Sequence, residues 1–131
     1  MKLMLSALFV VVLSAFAMGQ STDYPKLLDA YGEASVAKMI EDKSPQELMT
    51  LEAFATKGWV ITERKSNESL PEISIAEADY KNFNPLKADL KPTAGSHTYY
   101  AIANSDDVLI IFSEERQKVL CERFKNNQKN Q

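Results

Sequence analysis

With 18 acidic residues against 15 basic ones over 131 positions, the chain has too little positive charge to neutralise a row of phosphates, which argues against nonspecific nucleic-acid binding. The same balance opposes attraction to anionic lipid. A single cysteine, Cys121, excludes an intramolecular disulfide framework, so stability must come from packing.

The chain opens with Lys2, an apolar run from Leu3 to Ala17, and then small residues leading into Gln20-Ser21-Thr22-Asp23. A positive start, a hydrophobic middle and a small-residue exit are the parts of a secretory signal peptide. The run is shorter than the roughly 20 residues of a spanning helix and is interrupted by Ser6 and Ser14. Small side chains permit cleavage after Ala17 or after Gly19, and the second leaves Gln20 at the new N-terminus. Removal of residues 1–19 leaves 112 residues with 14 basic and 18 acidic side chains, a net charge of −4. That length suits one domain, expected over residues 20–125, with 126–131 as a disordered polar tail.

In the mature chain, Leu27, Leu28 and Tyr31 share a helical face behind Pro25, which sits where a missing N–H costs nothing. Gly32 is placed to end or bend that helix. Val36, Met39 and Ile40 repeat the spacing in the next stretch. Ser44-Pro45-Gln46-Glu47 combines an N-cap, a first-turn proline and a capping-box glutamate, so a helix begins there. Its stripe is Leu48, Leu51, Phe54 and Ala55, and Gly58 is expected to stop it in a left-handed conformation.

Beyond Gly58 the period shortens to 2. Trp59 to Glu63 is rich in aromatic and β-branched residues and predicts a strand. Ile73 to Ile75 is a candidate brief strand. Leu86, Ala88 and Leu90 alternate with Lys87, Asp89 and Lys91, predicting an edge strand with one wet side. His97 to Ala103 and Val108 to Phe112 read as two further strands joined by the turn Asn104-Ser105-Asp106-Asp107. Five consecutive apolar residues from Val108 predict a strand central in the sheet. Ser113 then caps a short helix with Glu114 and Glu115 at its start and a stripe of Val119, Leu120 and Phe124, the alternative being a hairpin that returns through Lys118 to Phe124. The fold class is therefore α+β: N-terminal helices packed on an antiparallel sheet of about four strands, with a short C-terminal helix.

Chemistry is thinly marked. Cys121 and His97 are the only thiol and imidazole, and together they admit a Cys-His hydrolase reading. Burial of Cys121 in a helix and a structural role for His97 beside a turn account for them as well. Neither the several His or Cys ligands of a zinc site nor a calcium loop is present, and four glycines form no phosphate loop, so no metal and no cofactor is expected. Asn67-Glu68-Ser69 matches a glycosylation acceptor, which has meaning only in a eukaryotic cell. The aromatics Tyr80, Phe83, Tyr99 and Tyr100 are the candidate ligand-binding residues, with Tyr80 and Phe83 favoured because they lie in an irregular segment.

The runs Phe83-Asn84-Pro85-Leu86-Lys87, Tyr99-Tyr100-Ala101-Ile102-Ala103-Asn104 and Val108-Leu109-Ile110-Ile111-Phe112-Ser113, preceded by Gly32-Glu33-Ala34-Ser35-Val36, resemble small exported proteins of Bacteroidetes-type Gram-negative bacteria. The likeness covers most of the mature chain and implies a periplasmic or secreted location; it carries no active-site residue across. Where such chains tend to have glycine after Asn104, this one has Ser105-Asp106-Asp107.

A well-specified core without a convergent polar site points to a non-enzymatic interaction or accessory protein, partnered by another envelope or extracellular protein. The alternative is a small-ligand or peptide binder that uses a pocket between helices and sheet. No nucleic-acid partner and no stable membrane span after processing are expected.

Overall fold

A computed structural model describes residues 20–129, so the signal segment expected at 1–19 lies outside the described residues. The fold is α+β. Three helices come first, α1 (Pro25–Tyr31), α2 (Glu33–Asp42) and α3 (Pro45–Lys57). The strands β1 (Trp59–Glu63), β2 (Glu72–Ile73), β3 (Thr98–Ile102) and β4 (Asp107–Ile111) follow, and α4 (Glu114–Lys129) closes the chain. The contacts gather into two compact units that divide inside α3, after Glu52.

In the first unit, Gly32 takes φ 85° and separates α1 from α2, a backbone state that glycine adopts without a Cβ penalty. Leu27, Val36 and Leu48 are fully buried, whereas Tyr31 is exposed, so the predicted α1 face is narrower than its spacing suggested. Glu52 is only 2 % exposed, yet it is well partnered. Its Oε1 accepts the N–H groups of Lys26 at 3.0 Å and Leu27 at 3.1 Å, and its Oε2 accepts that of Lys26 at 3.0 Å. These are first-turn donors of α1 that no carbonyl of that helix can reach, and an anion there also meets the positive end of the helix. Burial raises the pKa of the nearby Tyr24 phenol, and the charges of Asp23 and Glu52 raise it further. At the start of α3, Ser44 Oγ accepts the Glu47 N–H at 3.2 Å, which is the predicted cap.

In the second unit the strand order is β1-β4-β3-β2. As predicted, β4 is interior, paired antiparallel with both β1 and β3. β2 runs parallel to β3, so the sheet is mixed and not wholly antiparallel. One face of the sheet builds the core around Phe54, Ile102, Leu109 and Ile111. Trp59, Ile61, Ile73 and Tyr100 pack against it from the strands, and Tyr80, Phe83, Leu86 and Leu90 from the segment between β2 and β3.

That segment overturns one expectation. Leu86 to Leu90 is not an edge strand but a chain of turns, with Lys87, Asp89 and Leu90 N–H groups bonded to the carbonyls of Asn84, Leu86 and Pro85. Buried Asn84 places its Oδ1 3.1 Å from the Leu86 N–H, and Pro85 sets the first turn position. Leu86 and Leu90, four residues apart, then reach the same core, while Asp89 accepts a left-handed φ of 55°. A spacing of four satisfies successive turns as readily as it satisfies alternation.

The last helix also departs from expectation. α4 spans 16 residues, longer than the short helix expected, with Lys129 as its last residue. Its buried residues are Gln117 and Cys121, with Phe124 half-buried, while Val119 is 43 % exposed. The stripe is thus rotated from the one expected. Ser113 caps it as predicted, its Oγ accepting the Arg116 N–H at 3.3 Å.

Candidate functional site

Strand alternation sends neighbouring side chains to opposite faces, so the two faces of the sheet can be assigned from register. Val60 of β1 stands opposite Ile110 of β4, which stands opposite Tyr99 of β3. The three form a transverse row on the face turned away from Phe54. Val60 is 38 % exposed and Tyr99 is 43 % exposed, so this row of large apolar side chains meets solvent. The next row on the same face, Thr62, Val108 and Ala101, is partly roofed by the loop that follows β1.

Arg64 holds that roof in shape. Its Nε donates to the Ser66 carbonyl at 2.9 Å, its Nη2 donates to the Glu68 carbonyl, and its own N–H bonds to the Asp106 carbonyl at 2.7 Å. Beneath the loop lies a cleft of about 470 Å³ with Thr62, Leu70, Tyr99, Val108 and Ile110 in its walls. Volumes of this order accommodate a small ligand or a few peptide side chains.

A second cleft of about 670 Å³ lies at the end of the sheet, between Ser74 to Glu77 and the β3–β4 turn. That turn is built without glycine. Asn104 takes φ 59°, a region asparagine tolerates better than most residues. Ser105 Oγ donates to the Ile102 carbonyl at 2.8 Å and accepts the Asp107 N–H at 3.1 Å, closing the turn. Tyr80 Oη donates to Asp107 Oδ2 at 2.9 Å in the wall of this cleft. The Ser105 hydroxyl pulls the Tyr80 pKa down, but partial burial, the bond to Asp107 and the charges of Asp107 and Glu77 outweigh it, leaving it above its ordinary value.

The four aromatics singled out in the sequence are therefore divided among different places. Phe83 and Tyr100 pack on the core, and Phe83 sets its ring edge-on to Trp59 with centroids 5.2 Å apart. Tyr80 packs there as well, with its hydroxyl in the sheet-end cleft. Tyr99 alone stands on the exposed face, since it is one residue out of phase with Tyr100. Val60, Ile110 and Leu70 were missed: the β1–β4–β3 register, which no single segment encodes, sets Val60 and Ile110 in the row of Tyr99, and Leu70 joins the same cleft from the loop after β1.

The thiol and imidazole are occupied separately. His97 Nδ1 accepts the Ser113 N–H at 2.8 Å, and its ring meets Phe112 edge-on at 5.4 Å. An accepting Nδ1 puts the proton of the neutral ring on Nε2, leaving no lone pair to deprotonate a thiol. Cys121 is buried within α4. Among the described residues no group of three or more His, Cys, Asp or Glu is placed to hold a metal ion, and no helix is long and apolar enough to cross a membrane.

No protein-family model matches this chain, and neither a curated protein nor a solved structure is similar to it.

Proposed function

We propose that the chain is an exported, non-enzymatic binding protein that engages another protein of the envelope or extracellular space through the outer face of its sheet. The observation that carries this reading is the exposed row Val60, Ile110 and Tyr99, continuous with the apolar cleft under the Arg64 loop. Isolated apolar side chains on a surface need no explanation, but an aromatic and two aliphatics in one row beside a concavity are what partner surfaces use. The export half rests on the opening hydrophobic segment. A second reading, a small-ligand binder, is favoured by the size of the same cleft, which lies on the outer face of the sheet and not on the face where Phe54 packs.

The test places a photo-crosslinking amino acid at Tyr99 in the full-length gene and irradiates the producing cells. A protein adduct in the envelope or supernatant that disappears in a Val60→Glu background supports the protein-partner reading. A small molecule released from the purified chain and seen by mass spectrometry supports the second. An uncleaved chain confined to the cytosol, or neither adduct nor small molecule, overturns the proposal.

A further inference from the structure

The apolar cleft does not stand alone. It abuts a polar cleft of about 390 Å³, the two sharing Glu63, Arg64 and Ser66. That one in turn shares Ser105 and Asp106 with the sheet-end cleft beside Tyr80. Through these shared residues the three form a groove of adjoining clefts around the end of β1 and the β3–β4 turn.

The groove is chemically graded. At one end Tyr99, Ile110, Val108 and Leu70 offer apolar surface. The polar and sheet-end clefts are lined by the acidic residues Glu63, Glu77, Asp106 and Asp107 with Arg64 as the cation beside them, while Glu68 and Lys65 line the apolar cleft. The Arg64 guanidinium is already turned onto the carbonyls of its own loop. Adjoining clefts, the first apolar and the next two acidic, suit an elongated ligand of the complementary pattern, since opposite charge both attracts the correct partner and penalises the wrong one.

Building on the protein-partner reading, we infer that the groove recognises an extended, basic peptide segment, seating an aliphatic or aromatic side chain under the Arg64 loop and lysines or arginines along the carboxylates. An anionic segment is rejected by the same charges. A bare polyamine lacks the apolar group that the Tyr99 end accepts, so it binds more weakly than such a peptide.

Fluorescence anisotropy with the purified chain and a short labelled peptide of alternating leucine and lysine tests this, alongside the same peptide with glutamate in place of lysine. The lysine peptide is expected to bind at least about ten-fold more tightly than its glutamate counterpart and to weaken as salt is raised. The combined variant Glu63→Gln, Glu77→Gln, Asp106→Asn alters only exposed side chains and should cost the lysine peptide about ten-fold at low salt. Tyr99→Ser should weaken binding at every salt concentration. Circular dichroism confirms that each variant is folded. Equal affinity for the two peptides, no loss in the combined variant, competition by spermidine as strong as by the lysine peptide, or no peptide binding would overturn the inference. A crosslinked partner together with any of these results would leave the binding reading standing and remove only the charge rule.

Discussion

The backbone of Gly58 and the side chain of Gln117 share a space that no Cβ can enter. Gln117 Nε2 donates to the Gly58 carbonyl at 2.8 Å and to that of Phe112 at 3.2 Å. A Cβ at Gly58 would lie 2.3 Å from Gln117 Oε1 and 2.7 Å from the Phe54 carbonyl. Glycine is needed here for closeness, not for a left-handed φ, since the positive-φ glycines among the described residues are Gly32 and Gly95. The junction ties the end of α3, the start of β1 and the start of α4 to one amide.

Gly58→Ala is therefore expected to destabilise the fold by about 1 to 3 kcal/mol, the usual cost of forcing extra volume into a packed site. In urea unfolding, Gln117→Ala should cost a comparable amount by removing a donor from the Phe112 carbonyl and one of the two donors to the Gly58 carbonyl, which keeps the Phe112 N–H. The double variant should recover only part of the sum, because the Phe54 carbonyl still blocks the new methyl group. Simple additivity would show that the two positions do not compete for the same space.

Glu52 is the next sensitive position. Glu52→Ala removes the acceptor of two α1 N–H groups and should cost about 1 to 3 kcal/mol, with hydrogen exchange quickening at the Lys26 and Leu27 amides. Glu52→Gln loses the charge and one acceptor but keeps the other oxygen, which can still accept the Lys26 and Leu27 N–H groups, so a smaller loss is expected. Equal losses in the two variants would deny the capping role.

The carboxylate of Glu115 accepts the Gly95 N–H on both oxygens at 3.1 Å. Hydrogen bonds from backbone groups, its own first and that of Gly95 second, hold its pKa below the usual carboxylate value; partial desolvation opposes them, and Ser113 and Lys118 add to the lowering. A depressed folded pKa gives stability that is present above the unfolded pKa and lost as the pH falls through the folded one. Glu115→Gln should therefore be less stable than the parent at neutral pH, with the gap closing in acid. A gap that widens in acid would contradict the assignment.

His97→Ala should cost about 1 to 3 kcal/mol by leaving the Ser113 N–H without its acceptor at the start of α4. Cys121, being buried, should react with a thiol reagent only as fast as the chain unfolds. Rapid labelling of the native chain would reveal an accessible thiol and favour the hydrolase reading.

Most of the elements were legible because their signals are local. Ser44-Pro45 starts α3, Ser113 starts α4, Gly32 divides two helices, and the apolar run at Val108 lies in the interior strand. The site was far less legible. Tyr99 was identified, but its neighbours Val60 and Ile110 lie 39 and 11 positions away in the chain and become its neighbours only through strand register.

By itself, the sequence determined the class, the helix starts and the segments that form β1, β3 and β4, because capping, proline placement and side-chain period act over a few residues. The tertiary structure alone decided that β2 runs parallel to β3, that Leu86 and Leu90 turn onto the core, and that Gln117 and Cys121 are buried in place of Val119. It also decided that the exposed apolar row stands opposite Phe54. These outcomes depend on which distant segment supplies a hydrogen-bond partner or a packing surface, and a local pattern compatible with two such partners cannot choose between them.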